Sequence, residues 1–140
     1  MNALSQIDRV FLDTNIFVYL ASDHVEKAGV AAALLRDSSL RRSISTQVLS
    51  EFVNAARRRT GLGWPEIRYL LGIFRETCAV EQILEIDIEA AIDLAQSHRF
   101  SWYDCLILAV AIRSGATILL TEDLQHGQVL GPLTIRNPFL

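Results

Sequence analysis

Two apolar runs that lack polar alternation constrain this chain more than any other feature, and each leads into acid. Val10-Phe11-Leu12 opens onto Asp13-Thr14-Asn15, and Ala116-Thr117-Ile118-Leu119-Leu120-Thr121 onto Glu122 and Asp123. A strand that is apolar throughout must be covered on both faces, which antiparallel sheets seldom require and parallel sheets do. Asp13 and Asp123 then sit just past the carboxyl ends of buried strands, the edge where ligands bind in open α/β sheets.

The intervening sequence supplies the covering helices. Residues 16–21 read as a short helix and 24–35 as an amphipathic one. A weakly signalled strand follows at 42–46. Thr46 reads as the N-cap of a helix through Arg59, stopped by Gly61 and Gly63. Trp64-Pro65-Glu66 opens another helix, with Pro65 in a first turn where its missing N–H costs nothing. Residues 80–86 contain a short strand, and 87–98 a helix starting from an acidic cap. Ser101 caps an almost wholly apolar helix to Ser114, closed by Gly115. Strands at 116–120 and 133–136 complete the chain. Strands alternating with helices predict an α/β fold: a parallel sheet flanked by helices on both faces, an α/β/α sandwich.

A length of 140 residues and 51% hydrophobic content fit one domain spanning residues 1–140 with a real core. The longest apolar run, 105–112, is too short for a membrane span. The polar stretch before Val10 lacks the pattern of a signal peptide. Cys78 and Cys105 have no metal-type spacing and read as reduced thiols, which points to the cytoplasm. A net charge of −3 gives no global pull toward nucleic acid, but local charge matters more. Lys27 is the one lysine beside twelve arginines, and arginine suits bidentate phosphate contact.

Each acid also has an ordinary structural use. Asp13 can bond to nearby backbone N–H groups, and Asp123 can cap a turn at Leu124. Asp104 stands in a capping-box-like Ser101-Trp102-Tyr103-Asp104, where an acid favours the helix dipole. Glu51 falls at the edge of the apolar arc made by Val48, Leu49, Phe52, Val53 and Ala56, near the core boundary. Convergence would change their meaning. Two carboxylates about 4 Å apart repel by roughly 4 kcal/mol at an effective dielectric near 20. Such a cluster holds protons or a cation. Oxygen donors without His or Cys suit a hard ion such as Mg²⁺ or Mn²⁺.

Taken in order, Asp13-Thr14-Asn15 after a strand, Glu51 in Leu49-Ser50-Glu51-Phe52, Asp104 in Ser101-Trp102-Tyr103-Asp104, and Asp123 in Leu120-Thr121-Glu122-Asp123-Leu124 resemble the PIN domain. The similarity extends to its VapC-like toxin branch, through the tail Asp123-Leu124-Gln125-His126-Gly127, and runs from near Val10 to the C-terminus. It implies a single PIN-like nuclease domain and a metal-dependent endoribonuclease, the toxin of a type II toxin–antitoxin system. Asp13, Glu51, Asp104 and Asp123 would form the acidic catalytic pocket. Asp13 and Asp104 would hold Mg²⁺ or Mn²⁺, while Asn15 and Thr121 would shape the site. The resemblance also implies a homodimer and a cognate antitoxin laying an amphipathic helix into a groove. The apolar positions Ile16, Phe17, Tyr19 and Leu20, with Ile67, Leu70, Leu71 and Phe74, add a hint of surplus apolar surface.

Other residues take ordinary readings. His126 lies on a polar turn, and Cys105 belongs to the buried helix. Trp102 and Tyr103 read first as anchors of the helix start against the core, and second as stacking surfaces for bases. Arg57, Arg58 and Arg59 favour the helix dipole and are candidate phosphate contacts. Two rival functions remain: a phosphatase on a small phosphoester and a non-catalytic PIN-like module that binds RNA or a partner. A haloacid-dehalogenase-type phosphatase wants an Asp where Asn15 stands, and a receiver domain wants a lysine after a late strand. A binding module has no use for concentrated negative charge near phosphates.

Overall fold

The computed structural model describes residues 8–140. The expectation about a signal peptide rests on residues that lie, up to residue 7, outside those described. In chain order the elements are β1 (Asp8–Leu12), α1 (Thr14–Leu20), α2 (Val25–Arg36), β2 (Leu40–Ser45), α3 (Thr46–Arg59), α4 (Trp64–Thr77), β3 (Ala79–Glu81), α5 (Glu85–Ser97), α6 (Trp102–Arg113), β4 (Ile118–Leu120), β5 (Val129–Leu130) and β6 (Leu133–Arg136). Among the described residues no helix is long and apolar enough to cross a membrane.

The strands form one sheet in the order β3-β2-β1-β4-β6-β5. All neighbours are parallel except β5 with β6. Each of the first three crossovers is a pair of helices, giving the α/β/α layering. The antiparallel β5–β6 edge departs from the all-parallel expectation. It is a hairpin that pairs Leu130 with Leu133 across Gly131-Pro132, with Gly131 at φ 58°. A two-residue strand leaves no periodicity to read, so the turn residues were its only sequence signal.

Burial explains the unalternating strands. Val10, Phe11, Leu12, Leu119 and Ile135 are all buried between helical layers. β2 was harder to read because Arg41, Arg42 and Ser43 interrupt it. The Arg42 guanidinium is satisfied locally, donating to the carbonyls of Leu34, Asp37 and Thr77. From β1 the chain steps outward to β2 and β3, then returns to the other side of β1 as β4. The β1–β4 junction is therefore the switch point of the sheet, where the order reverses and a crevice opens at the strands' carboxyl ends.

Two helix starts differ from the sequence reading. The N-cap of α3 is Ser45 rather than Thr46, with Ser45 Oγ accepting from the Val48 N–H at 3.3 Å. α5 begins two residues before Asp87. Asp87 reaches back from the third helical position to accept from the Leu84 N–H at 2.8 Å, so it closes the cap rather than starting the helix. Its other oxygen accepts from Arg113 Nε at 2.7 Å. Burial pushes the Asp87 carboxyl up, but Arg113 and the Leu84 N–H outweigh this and hold it below its ordinary value. Arg113 also donates to the Gln82 carbonyl at 2.8 Å, tying the end of α6 to the β3–α5 connection. Arg113→Ala would leave a buried carboxylate unpaired and should cost about 2–4 kcal/mol, read as a lower urea midpoint. The Asp87 contribution is present above the ordinary aspartate range and is lost as pH falls through its depressed folded value.

The surplus apolar surface is not where the sequence reading put it. Ile16, Phe17, Ile67 and Phe74 are buried inside the chain, with the Phe17 and Phe74 rings 4.4 Å apart. Tyr19, Leu20, Leu70 and Leu71 pack partly buried against the same core. An exposed apolar stripe instead follows α5, through its cap residue Leu84, Ile88 and Ile92, each at least 40% exposed. The apolar faces of α1 and α4 are thus buried in the chain's own core and offer no argument for a dimer.

Candidate active site

Leu12 and Leu120 are paired neighbours at the ends of β1 and β4, so the next residues, Asp13 and Thr121, emerge side by side at the switch point. Asp13 is buried. It caps α1, its Oδ1 accepting from the Thr14 N–H at 2.7 Å, while its Oδ2 accepts from Thr121 Oγ1 at 2.7 Å. The ordinary reading of Asp13 as a backbone cap is therefore correct and does not exclude another role. Thr121 Oγ1 also accepts from the Asp123 N–H at 3.1 Å, which turns the chain so that Asp123 faces the same crevice. There Asp123 accepts from Asn15 Nδ2 at 2.9 Å.

The other two acids come from helices. Ser101 Oγ accepts from the Asp104 N–H at 3.2 Å, capping α6. The Asp104 carboxylate does not bond back, so the box is half formed and the acid is free to face the crevice. Glu51 Oε1 accepts from Thr14 Oγ1 at 3.1 Å and Gln47 Nε2 at 3.2 Å. All four carboxylates line one cavity of about 200 Å³, with Thr14, Asn15, Asn54, Arg58 and Arg59.

Electrostatics registers this convergence. Burial pushes the Asp13 carboxyl up to about 6 from 3.8, against the pull of its Thr121 and Thr14 hydrogen bonds, and the charges of Asp123 and Asp104 add to the rise. Burial also raises Asp123, reinforced by Asp104, Glu122 and Glu51 and opposed by Arg59. Residues 10–129 match the PIN domain.

The chain belongs to the PIN domain family. No curated protein matches it significantly in sequence. Similar solved structures include VapC20 of Mycobacterium tuberculosis, a sarcin–ricin-loop-cleaving toxin, at TM-score 0.64 and 20% identity over 81% of this chain and 89% of that one. The VapBC2 complex of Rickettsia felis with a promoter DNA fragment aligns at TM-score 0.65 and 21% identity over 92% and 98% of the two chains. A toxin–antitoxin complex from Klebsiella pneumoniae aligns at TM-score 0.67 and 21% identity over 92% and 97%. At these identities the likeness is one of fold.

Among the described residues of this PIN domain, no three Asp, Glu, His or Cys side chains are drawn close enough to grip one ion. The donor chemistry nevertheless fits a hard cation. The cavity offers carboxylate, amide and hydroxyl oxygens, with no sulfur or imidazole. A buried carboxylate beside two like charges is the kind of group that a cation would relieve.

Several residues stand apart from the cavity. His126 Nδ1 accepts from the Asn137 N–H at 3.0 Å, which commits it to the C-terminal segment. Arg57 turns away to lie over the Trp64 ring at 4.4 Å and donates to the Leu62 carbonyl. Cys105 is buried, as expected of packing. Trp102 and Tyr103, read as core anchors, are instead 39% and 62% exposed. α6 is buried from Cys105 to Ala111, whereas Trp102 and Tyr103 in its first turn stay exposed. Three side chains escaped the sequence reading: Thr14, Gln47 and Asn54. Their signal was faint but present. Thr14 lies between Asp13 and Asn15, and Gln47 and Asn54 are one helical turn on either side of Glu51.

Proposed function

We propose that this PIN domain is a metal-dependent endoribonuclease that hydrolyses RNA phosphodiester bonds and acts as the toxin of a toxin–antitoxin pair. One observation carries the reading: carboxylates from four separate points of the chain line a single cavity at the switch point of the sheet. The solved neighbours support the toxin assignment, since one is an RNA-cleaving toxin and others are toxin–antitoxin complexes.

In this reading Asp13 and Asp104 hold Mg²⁺ or Mn²⁺. A bound divalent ion supplies Lewis acidity toward a phosphate oxygen and toward water. Asp13 is held in position by Thr121 and the Thr14 N–H, so it costs little to organise. Glu51, steered by Thr14 and Gln47, and Asp123, steered by Asn15, orient the attacking water and take up its proton. Asn15 and Thr121 act by positioning. The whole chain works as one nuclease domain in the cytoplasm, where its substrate is and where free Cys78 and Cys105 stay reduced. A homodimer and a cognate antitoxin that covers the acidic cavity complete the proposal. The direct test is cleavage of RNA by purified protein with Mg²⁺ or Mn²⁺, set against the same protein in chelator. A second arm is growth arrest on expression without the antitoxin. Metal-independent cleavage, or none with either ion, would overturn the reading.

RNA brings negative charge to a negative cavity, so positive charge is needed at the rim. Arg58 and Arg59 line it, whereas Arg57 does not. Replacing Arg58 and Arg59 with alanine should weaken RNA binding and reduce the salt slope by roughly 1.4, at about 0.7 per single-strand phosphate contact. Arg57→Ala should leave that slope unchanged and loosen the α3–α4 turn. Equal slopes in wild type and the double variant would place the phosphate grip elsewhere.

A further inference from the structure

β4 ends at Leu120, and the chain that follows carries Glu122 and Asp123 away from the sheet. Among the described residues, no N–H from Glu122 to His126 bonds to another backbone group. A segment without backbone bonds is placed by its side chains. α1 supplies two anchors, one helical turn apart: Asn15 Nδ2 donates to Asp123 at 2.9 Å, and Tyr19 Oη donates to Glu122 Oε1. Asp13 caps the same helix. α2 supplies the third anchor, Lys27 Nζ, which donates to Glu122 Oε2 at 2.8 Å and to Tyr19 Oη at 3.1 Å.

Both Glu122 oxygens are therefore taken. The Lys27 and Glu122 side chains are only 31% and 20% exposed. The Lys27 ammonium lies 4.7 Å from the centre of the Tyr19 ring and 5.3 Å from that of Phe139. A single surface ion pair holds a side chain loosely. Two donors on a half-buried carboxylate, one of them braced by two rings, hold it in one place. That carboxylate belongs to the residue next to Asp123. We propose that Tyr19 and Lys27 are positioning residues of the nuclease: through Glu122 they hold the bend that aims Asp123 into the acidic cavity. The proposal rests on the ribonuclease reading above and adds two residues to it. Neither residue lines the cavity, so both act at one remove, by keeping the Asp123 carboxylate where it can orient water.

The test measures RNA cleavage with Mg²⁺ or Mn²⁺ by wild type, Tyr19→Phe and Lys27→Met, with urea unfolding on the same preparations. Each variant should lower kcat by roughly 10- to 100-fold, the scale of a misplaced reacting group, and leave KM within about twofold. The same two substitutions are then made in Asp123→Asn. There they should change the residual rate by less than about twofold, because the group they aim is already lost. Arg113→Ala, which loses stability at the opposite end of α6 from Asp104, should keep kcat within about twofold of wild type. If Lys27→Met fails to fold, Tyr19→Phe decides alone, because it keeps the ring and removes only the hydroxyl. If Asp123→Asn has no measurable residual rate, the split between kcat and KM, set against Arg113→Ala, decides. Unchanged kcat, losses no larger than that of Arg113→Ala, or equal losses in the Asp123→Asn background would overturn the positioning role and leave the ribonuclease standing. Failure of wild type to cleave any RNA would remove both.

Discussion

Asp13→Asn is expected to abolish RNA cleavage, by roughly 10³-fold or more, and at the same time to stabilise the metal-free protein. The loss follows from the proposed role. Removing one charge from the cation site forfeits several kcal/mol of charge stabilisation in the transition state, at about 1.4 kcal/mol per tenfold. The gain in stability follows from the burial of Asp13 beside Asp104 and Asp123. A neutral amide removes both the desolvation and the repulsion. It also disturbs the hydrogen bond from Thr121, so the net gain should be about 1–3 kcal/mol at pH 7.5. Asp104→Asn should match it in activity but gain less, because the larger cost attaches to the more deeply buried acid. Single-turnover cleavage and urea unfolding in chelator, on the same preparations, check both halves. A fully active Asp13→Asn enzyme would remove the metal-site reading. A destabilised one would show that the carboxylate is held mainly as the cap of α1.

The second large effect is on stability against pH and metal. Unfolded, the Asp13 carboxyl titrates near 3.8; folded, it titrates near 6. Between these values the folded protein binds more protons than the unfolded chain, so stability falls as pH rises from about 4 to about 6 and is level above that. The full difference is about 3 kcal/mol, and Asp123 adds in the same direction. Asp87 opposes it only at more acidic pH, where its bond to Arg113 is lost. Metal-free wild type should therefore be more stable at pH 5 than at pH 7.5, and Asp13→Asn should lose most of that slope. Mg²⁺ at 100 times its dissociation constant should return about 2.7 kcal/mol at pH 7.5. The restored stability should vanish in Asp13→Asn and Asp104→Asn. Thermal unfolding across pH, with and without metal, gives the comparison. A wild type equally stable at both pH values would mean that the site is more hydrated than its burial indicates.

The chain's local chemistry carried the fold class a long way. Val10-Phe11-Leu12 and Ile118-Leu119-Leu120 read as strands covered by helices, and the almost wholly apolar α6 as a helix buried on most sides. Ordered motifs around Asp13, Glu51, Asp104 and Asp123 were enough to bring out the family resemblance. Caps and edges were read less well. Ser45 and Thr46 are equivalent cap residues by type, and the backbone decides between them. Asp87 resembles a cap residue but is fixed by Arg113, twenty-six positions away. The β5–β6 hairpin is too short to have a period.

What the sequence determined by itself was the alternation of strands and helices and the acids placed at their ends, because both depend on neighbouring residues. Tertiary structure alone decided which of those acids meet. Thr121 reaches Asp13 and Asn15 reaches Asp123, each across 108 positions, because β4 returns to lie beside β1. That return also buries Asp13 at the switch point beside Asp123 and Asp104, which raises its carboxyl. Burial and pairing across such separations are properties of the packed sheet, and no window of sequence contains them.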